Sequence, residues 1–219
     1  MASTVSVKRF GILGSGEVGQ ALAKGFATNG YEVRIGTRSP GKLAKFSKST
    51  GIPEGTFDQV AAWAEAAVLA VLGKAALEAV RLAGSENLRE KLVIDTTNPI
   101  SDEPPEDGVL RYFTGPNDSL MERLQSSFPQ IKFVKAFNSV GSSLMVHPML
   151  SGGPPTMFYC GNDAGAKAVV GHVIEQFGWE GVDMGGVVAA RALEQLAQLW
   201  CIPGFRQDEW MHAFRLLRP

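Results

Sequence analysis

The stretch VKRFGILGSGEVGQALAKGFA, residues 7–27, joins an apolar run to an alanine-rich helical pattern through a glycine-rich turn. In a turn of the form G-x-G-x-x-G, the first glycine allows the tight bend and the second lets backbone N–H groups approach a pyrophosphate. The third lets the helix pack close to the strand. The positive end of the helix dipole would face the same pyrophosphate. A strand before the turn and a helix after it therefore predict a dinucleotide site at Gly14, Ser15, Gly16, Glu17, Val18 and Gly19.

The residues after the second predicted strand, 31–36, indicate which dinucleotide is bound. A site for NAD would carry an acidic residue here, to accept hydrogen bonds from the ribose 2′-hydroxyl. The chain has Thr37, Arg38 and Ser39 instead, with Lys42 one helical turn later. Hydroxyls and cations suit a 2′-phosphate, so we predict NADP(H) rather than NAD(H). The alternative interpretation is that Arg38 and Lys42 are ordinary surface cations.

Strand and helix patterns alternate along the rest of the chain, as in a sheet built from strand-helix units. Residues 66–72 form a continuous apolar run, which is typical of a parallel strand buried on both faces. The remaining predicted strands are 10–13, 31–36, 91–99, 131–137, 156–160 and 180–184. The predicted helices are 17–28, 40–50, 57–64, 73–83, 120–128, 164–177 and 187–200, with 51–56 a loop.

This pattern predicts an α/β fold with a Rossmann-like, doubly wound, mostly parallel sheet in a single domain, residues 1–219. Residues 1–140 would form the dinucleotide-binding core, and residues 141–219 would be a small extension that completes the sheet and the acceptor cleft.

We expect the long loop 101–118 to have a functional or mobile role. In residues 204–219, Trp210, Phe214 and Leu217 have helical spacing, which favours packing on the protein's own core; a homodimer contact is the other interpretation.

Composition excludes several functional classes. The net charge is −1 and the isoelectric point is near 6.3, which argues against a nucleic-acid surface. With no long apolar run and no signal-peptide pattern, the default expectation is a cytoplasmic protein with no membrane partner. The two cysteines and three histidines lack metal-ligand spacing, so no metal site is predicted and the thiols are expected to be buried. No catalytic acid, base or nucleophile is recognisable.

Several motifs recur in order over nearly the whole chain. They are Gly11–Gly16 (GILGSG), Ile35–Arg38 (IGTR), Val93–Pro99 (VIDTTNP), Val134–Asn138 (VKAFN), Cys160–Asp163 (CGND) and Val182–Gly185 (VDMG). With them the chain resembles the reductases that move hydride between NADP(H) and the deazaflavin coenzyme F420. It also resembles the related NADPH-oxidoreductase domain of the Steap metalloreductases.

The resemblance implies a role for residues at both ends of the cofactor. Residues 15–18 would surround the pyrophosphate, and Thr37, Arg38 and Lys42 would hold the 2′-phosphate. Because ligands of open α/β sheets bind outside the carboxyl ends of the strands, Val71, Leu72, Asn98 and Pro99 lie on the expected edge for ribose and nicotinamide. The resemblance adds Ala136, Phe137 and Asn138 to that edge. The segment 72–76 differs from the family, because relatives often carry an aromatic or histidine-containing segment there.

The leading functional hypothesis is hydride transfer between NADPH and a small-molecule acceptor, namely a flavin or a deazaflavin: F420, FMN or FAD. Such a reaction depends on positioning two rings and requires no nucleophile. An NADPH-dependent reductase of a small ketone or imine is a second hypothesis, although such enzymes usually add a helical domain of roughly a hundred residues. A non-catalytic NADP(H)-binding sensor is a third.

Overall fold

The computed structural model describes residues 7–219, in which eight strands form one sheet. The strands are β1 (Arg9–Leu13), β2 (Glu32–Gly36), β3 (Glu54–Gly55), β4 (Ala66–Leu69), β5 (Leu92–Asp95), β6 (Lys132–Lys135), β7 (Thr156–Gly161) and β8 (Glu180–Asp183). The helices are α1 (Glu17–Thr28), α2 (Ala44–Thr50), α3 (Phe57–Trp63), α4 (Ala76–Ala83), α5 (Leu120–Ser127), α6 (Ala164–Gln176) and α7 (Ala190–Gln207).

The strand order is β3-β2-β1-β4-β5-β6-β7-β8, and strands β1 to β6 are parallel. The β7 strand pairs antiparallel with β6, and β8 pairs parallel with β7. The chain order reverses between β1 and β4, which is the switch point where doubly wound sheets bind dinucleotides. The predicted fold class, a Rossmann-like and mostly parallel sheet, is confirmed.

The central strands are buried because helices cover both faces of the sheet. All four residues of β4 are fully buried, and its residues alternate between two hydrophobic clusters. Ala66 and Val68 join the cluster that contains Phe10 and Phe26, whereas Ala67 and Leu69 join the cluster on the other face. Burial on both faces explains why this strand has an apolar run without alternation.

Two glycines set the distance between β1 and α1. Gly14 has φ +145°, and a Cβ on it would collide with the carbonyl oxygen of Ala70. A Cβ on Gly19 would collide with the carbonyl oxygen of Gly14. The first and third glycines of the turn are therefore required by the backbone itself, which agrees with the roles predicted from their spacing.

Some predicted boundaries are wrong for local reasons. The second helix begins at Ala44 and not at residue 40, because residues 40–43 form a turn in which Gly41 has φ +83°. The predicted loop 51–56 contains the short edge strand β3, whose pairing with β2 no sequence period marks. After β4 the chain first makes a 3₁₀ turn, Gly73–Ala75, before α4 starts. The last helix is longer than predicted and continues through Pro203 to Gln207.

The helical spacing of Trp210, Phe214 and Leu217 does not produce a helix, because residues 208–219 contain neither helix nor strand. The segment instead packs on the end of α7 in an irregular conformation. The His212 ring stacks on Trp200 with centroids 5.0 Å apart, and Trp200 Nε1 donates to the His212 carbonyl at 2.9 Å. Of the three spaced residues, Leu217 is exposed.

The long segment 101–118 is held against the rest of the fold by backbone bridges and by a side-chain hydrogen bond to α7. Bridges pair Ile100 with Tyr112 and Glu106 with Val109, so the segment folds back on itself as a narrow hairpin. The Tyr112 hydroxyl donates to the carbonyl of Glu194 on α7 at 3.0 Å. Among residues 7–219, no helix has the combined length and apolarity needed to cross a membrane.

We expect Gly19→Ala to lower the free energy of unfolding by roughly 2 to 3 kcal/mol, because its Cβ would push α1 away from β1. Gly16→Ala is the matched control. Gly16 has ordinary backbone angles and nothing lies within 4 Å of its ideal Cβ, so the cost should stay below about 1 kcal/mol. Urea unfolding of both variants without cofactor measures the difference, and equal losses would contradict the packing role of Gly19.

Candidate functional site

A cleft of about 510 Å³ opens where β1, β2 and β4 end, at the switch point of the sheet. It brings together three segments that are far apart in sequence: the glycine turn, the turn after β2 and the chain after β4. The predicted residues that line it are Gly14, Ser15, Gly16, Glu17, Val18, Thr37, Arg38, Ser39, Lys42, Val71 and Leu72. Gly19 does not line the cleft, because it packs against Gly14 beneath the turn.

The glycine turn presents backbone to the cleft. Gly16 is the N-cap residue of α1 and provides no side-chain cap, so the first-turn N–H groups keep their bonding capacity for a ligand. Nothing in the fold requires glycine at this position, since a Cβ would enter open space. A side chain at residue 16 would occupy the space of the cleft in front of the N-terminus of α1. This geometry fits a dinucleotide pyrophosphate.

The turn after β2 places its cations at one end of the cleft. Thr37 is almost fully buried, and its hydroxyl accepts a hydrogen bond from the Ser39 backbone N–H at 3.1 Å, which fixes the bend. The Glu54 carboxylate accepts from the N–H groups of Gly41 and Leu43 at 3.1 and 3.0 Å. These bonds hold the segment that carries Arg38, Ser39 and Lys42.

Arg38 and Lys42 are both exposed and line the cleft. Neither forms an ion pair with any other residue in the part of the chain that the structure describes. Both cations are therefore available to a bound anion, and the residues present fit a 2′-phosphate.

Seven residues that were not predicted from the sequence also line the cleft. They are Phe57, Ala70, Ala75, Glu78, Ala79, Leu82 and Thr96. Four of them share one face of the chain from 75 to 82, at spacings of three and four residues, and this signal was available in the sequence. Ala70 and Thr96 follow strands directly, so the rule of strand ends could also have found them.

Of the residues predicted for the ribose and nicotinamide edge, only Val71 and Leu72 line this cleft; Asn98, Pro99, Ala136, Phe137 and Asn138 lie farther along the same sheet edge. Pro99, Ala136 and Phe137 are buried. Phe137 has φ +58°, an unusual conformation for a bulky residue, which turns the chain sharply after β6. Asn98 and Asn138 are then brought face to face across the ends of β5 and β6.

The two asparagines form a reciprocal pair. Asn98 Nδ2 donates to the Asn138 carbonyl at 2.8 Å, and Asn138 Nδ2 donates to Asn98 Oδ1 at 3.0 Å. Asn138 Nδ2 also donates to the carbonyl of Leu193 on α7 at 2.7 Å. The side chain of Asn138 is 6% exposed, yet its Oδ1 has no hydrogen-bond donor among the described residues. A buried acceptor without a donor is rare in folded proteins, so this oxygen marks Asn138 as a candidate functional residue.

A buried ion cluster lies directly behind these strand ends. Lys135 Nζ lies 2.7 Å from Asp95 Oδ2 and 2.9 Å from Glu194 Oε1, and it donates to the Thr97 carbonyl at 2.7 Å. All three charged side chains are essentially inaccessible to solvent. Burial lowers the pKa of Lys135, but the neighbouring carboxylates raise it by more, so its pKa lies above the ordinary value. Lys135 is therefore a permanent cation.

The cluster also joins helices to the sheet. The Glu194 carboxylate accepts from the backbone N–H groups of Leu120 and Met121 at 2.9 and 3.1 Å, so it caps the first turn of α5. Glu194 therefore neither lines the cleft nor belongs to a solvated helix face. Arg191, on the same helix, pairs with Glu122 of α5 at 2.7 Å.

Neither cysteine has the properties of a nucleophile. Burial raises the pKa of the Cys160 thiol to about 12 and that of Cys201 to about 11. Both are free thiols, and Cys160 Sγ lies 4.0 Å from the sulfur of Met121 in the core. At neutral pH both remain protonated, so they do not provide the thiolate that nucleophilic chemistry needs.

Comparison with known proteins agrees with this geometry. Residues 9–99 match the family described as NADP oxidoreductase, coenzyme F420-dependent. The crystal structure of a candidate F420-dependent NADP-reductase from Arthrobacter sp. FB24 is similar, with a TM-score of 0.90 and 33% sequence identity. The match covers 97% of this chain and 100% of that one. The chain belongs to the F420-dependent NADP oxidoreductase family.

Two further relatives extend the comparison. Rat metalloreductase STEAP3 is 29% identical over 201 residues, which is 89% of this chain but only 38% of the length of that relative. An imine reductase variant from Myxococcus stipitatus, solved in complex with NAD⁺, has a TM-score of 0.66 and 18% identity. That match covers 90% of this chain and 62% of the other, and it shows a shared fold alone. The predicted class, an NADP-dependent oxidoreductase, is confirmed by the family.

We expect Arg38→Ala to weaken NADP(H) binding roughly thirtyfold, because it removes one or two charge-assisted contacts worth about 2 kcal/mol. Affinity for NAD(H), which lacks the 2′-phosphate, should change little. Arg34→Ala is a matched control, since Arg34 lies on β2, just before the turn that carries Arg38, but stacks on Trp63 outside the cleft. Calorimetric titration of each protein with both cofactors measures the effect. Equal affinities of the unmodified protein for NADP(H) and NAD(H) would contradict the assignment.

Proposed function

We propose that the protein transfers hydride between NADPH and a planar acceptor of the flavin or deazaflavin class, with F420, FMN and FAD as the candidate acceptors. The family supports the NADP(H) half of this proposal. The acceptor half is supported by the arrangement at the ends of β5 and β6. The observation that carries it is the buried Asn138 Oδ1, which lacks a donor in the protein.

The cofactor would lie across the switch point in an extended conformation. Arg38 and Lys42 would hold the 2′-phosphate, and the turn at Ser15–Val18 would hold the pyrophosphate. From there the chain of the cofactor has to continue past Val71 and Leu72 toward Asn98 and Asn138, because these residues follow the next strands along the same edge. The nicotinamide end would thereby lie beside the Asn98–Asn138 pair.

Asn138 could bind either a carboxamide N–H of the nicotinamide or a ring N–H of the acceptor. Both are donors that a buried amide oxygen recognises. Its own amide group is held in one orientation by Asn98 and by the Leu193 carbonyl, so the free oxygen is preorganised. The role proposed for Asn138 is to orient a ring, with no transfer of a proton.

The surface beside the asparagines suits a flat, largely apolar ring. Leu72 is 70% exposed and Ile100 is 36% exposed, and they follow β4 and β5 at the same edge. Ser139 after β6 is small and only half-buried, which leaves space above that strand end, whereas Gly141 packs against the indole of Trp200. The absence of a ring in residues 72–76 means that stacking there would involve aliphatic side chains alone.

Bound NADPH supplies the hydride, and the residues of the chain supply position. At the ends of β5 and β6, the accessible side chains are the amide of Asn98, the aliphatic chain of Ile100 and the hydroxyl of Ser139. The buried ionic groups lie behind them. Direct transfer between two rings needs alignment and exclusion of water, and no acid or base is required.

The test is to incubate purified protein with NADPH and, separately, F420, FMN, FAD, a small ketone and a cyclic imine, while following NADPH absorbance. We expect oxidation of NADPH with at least one of the three ring acceptors. Turnover with the ketone or imine alone would favour the second hypothesis. Tight NADPH binding without turnover of any compound would favour a sensor.

We expect Ser139→Trp to block transfer to the acceptor while leaving NADPH affinity within a few-fold of normal, because the indole would occupy the space beside Asn138. Ser126→Trp, an exposed position on α5, is the control for the introduction of an indole. Stopped-flow oxidation of bound NADPH and a separate binding titration measure the two properties. Loss of both, or of neither, would show that the second ring binds elsewhere on the sheet.

A further inference from the structure

The ion cluster behind the strand ends contains an excess of negative charge. It consists of one ammonium group, Lys135, and two carboxylates, Asp95 and Glu194, so its net charge is −1 when both carboxylates are ionised. No other side chain in the described part of the chain forms an ion pair with Asp95 or Glu194. The Arg191–Glu122 pair on the neighbouring helices is neutral as a unit.

Each group that the structure places against the two carboxylates is a hydrogen-bond donor. Asp95 Oδ1 accepts from the backbone N–H and the hydroxyl of Thr97 at 2.9 and 2.7 Å, and Oδ2 faces Lys135. Glu194 faces Lys135 and two backbone N–H groups of α5. Among the described residues, the two carboxylates therefore share a single cationic partner, Lys135.

The positive end of the α5 dipole offsets part of this charge. A helix N-terminus amounts to roughly half a positive charge, so it leaves an excess of roughly half a negative charge in a dry environment. Burial also removes the water that would screen the charge at the surface.

The cluster is connected directly to the two asparagines. Lys135 Nζ donates to the carbonyl of Thr97, the residue before Asn98. Asn138 Nδ2 donates to the carbonyl of Leu193, the residue before Glu194. A ring held by Asn138 would therefore lie within the field of the cluster.

We propose that the excess negative charge of the Asp95–Lys135–Glu194 cluster makes the protein bind NADP⁺ more tightly than NADPH, which favours hydride transfer from NADPH to the acceptor. The proposal rests on the proposed function, because it requires the nicotinamide to lie beside Asn138. The oxidised nicotinamide ring carries a positive charge that the reduced ring lacks, so a nearby negative charge stabilises the oxidised form selectively.

In the reaction the C–H bond of the reduced ring breaks, and its electron pair goes with the hydride to the acceptor. The acceptor is thereby reduced and takes its proton from solvent.

The test measures the dissociation constants of NADP⁺ and NADPH by calorimetry, for the full chain and for Glu194→Gln. A unit charge at a separation of about 10 Å, screened by an effective dielectric constant of about 20, changes a binding ratio by roughly tenfold. We expect Glu194→Gln to shift the ratio of the two constants by roughly that factor in favour of NADPH. Local disorder of α5 would lower both affinities together, so the ratio isolates the charge.

Glu122→Gln is the matched control, because it removes the same unit of charge from α5 at a partly exposed position outside the buried cluster. Its ratio should stay within twofold of the unmodified value. An unchanged ratio in Glu194→Gln, or an equal shift in the control, would overturn the proposal.

If Glu194→Gln does not fold, the unmodified protein still decides the question. NADP⁺ must bind more tightly than NADPH, and the reverse order would refute the role of the cluster. These measurements use binding alone and need no acceptor. A protein with the expected ratio but no turnover of any ring compound would contradict the proposed function while supporting this inference.

Discussion

Lys135 is the residue on which the two parts of the sheet depend. Its ammonium group lies between a carboxylate from β5 and a carboxylate from α7, and the second of these caps α5. Removing one partner of such a buried cluster typically costs 3–5 kcal/mol, since it leaves a charge without compensation in a dry environment. The constraint ties the end of the parallel core to the helix that follows β8. It also fixes the strand ends that carry Asn98 and Asn138.

The two ends of the site use different physical means. At the proposed adenine end the cleft is open, and binding would rest on backbone N–H groups and on the exposed cations Arg38 and Lys42. At the proposed nicotinamide end the two asparagines hydrogen-bond to each other, and Asn138 is also held by the Leu193 carbonyl beside the ion cluster. Affinity for a charged, flexible phosphate needs accessible cations, whereas hydride transfer needs one fixed ring orientation. The structure provides each kind of environment where the proposed reaction would need it.

The family comparison and the geometry bear on different halves of the function. Family membership identifies the NADP-dependent class, and the similarity to the imine reductase shows that the same sheet occurs in enzymes of other chemistry. Under the proposed binding mode, the choice of acceptor depends on residues 72–76, 98–100 and 138–141, which would border the space beside the nicotinamide. In this chain those residues are aliphatic, small or amide-bearing apart from Lys74, and none of them carries an aromatic ring.

The sequence by itself determined the sheet, the glycine turn and the cationic turn, because each depends on local periodicity or on residues close together in the chain. Gly14 and Gly19 show this well. Their spacing predicted a tight bend at the first and close packing of the helix on the strand at the second, and the structure places each against a backbone carbonyl. The edge strand β3, the irregular end of the chain and the role of Glu194 were decided only by the tertiary structure. Glu194 lies 59 residues from Lys135 and 99 from Asp95 in sequence. No local pattern predicts that these three charges meet, because a buried ion pair forms only when the whole fold has removed its members from water.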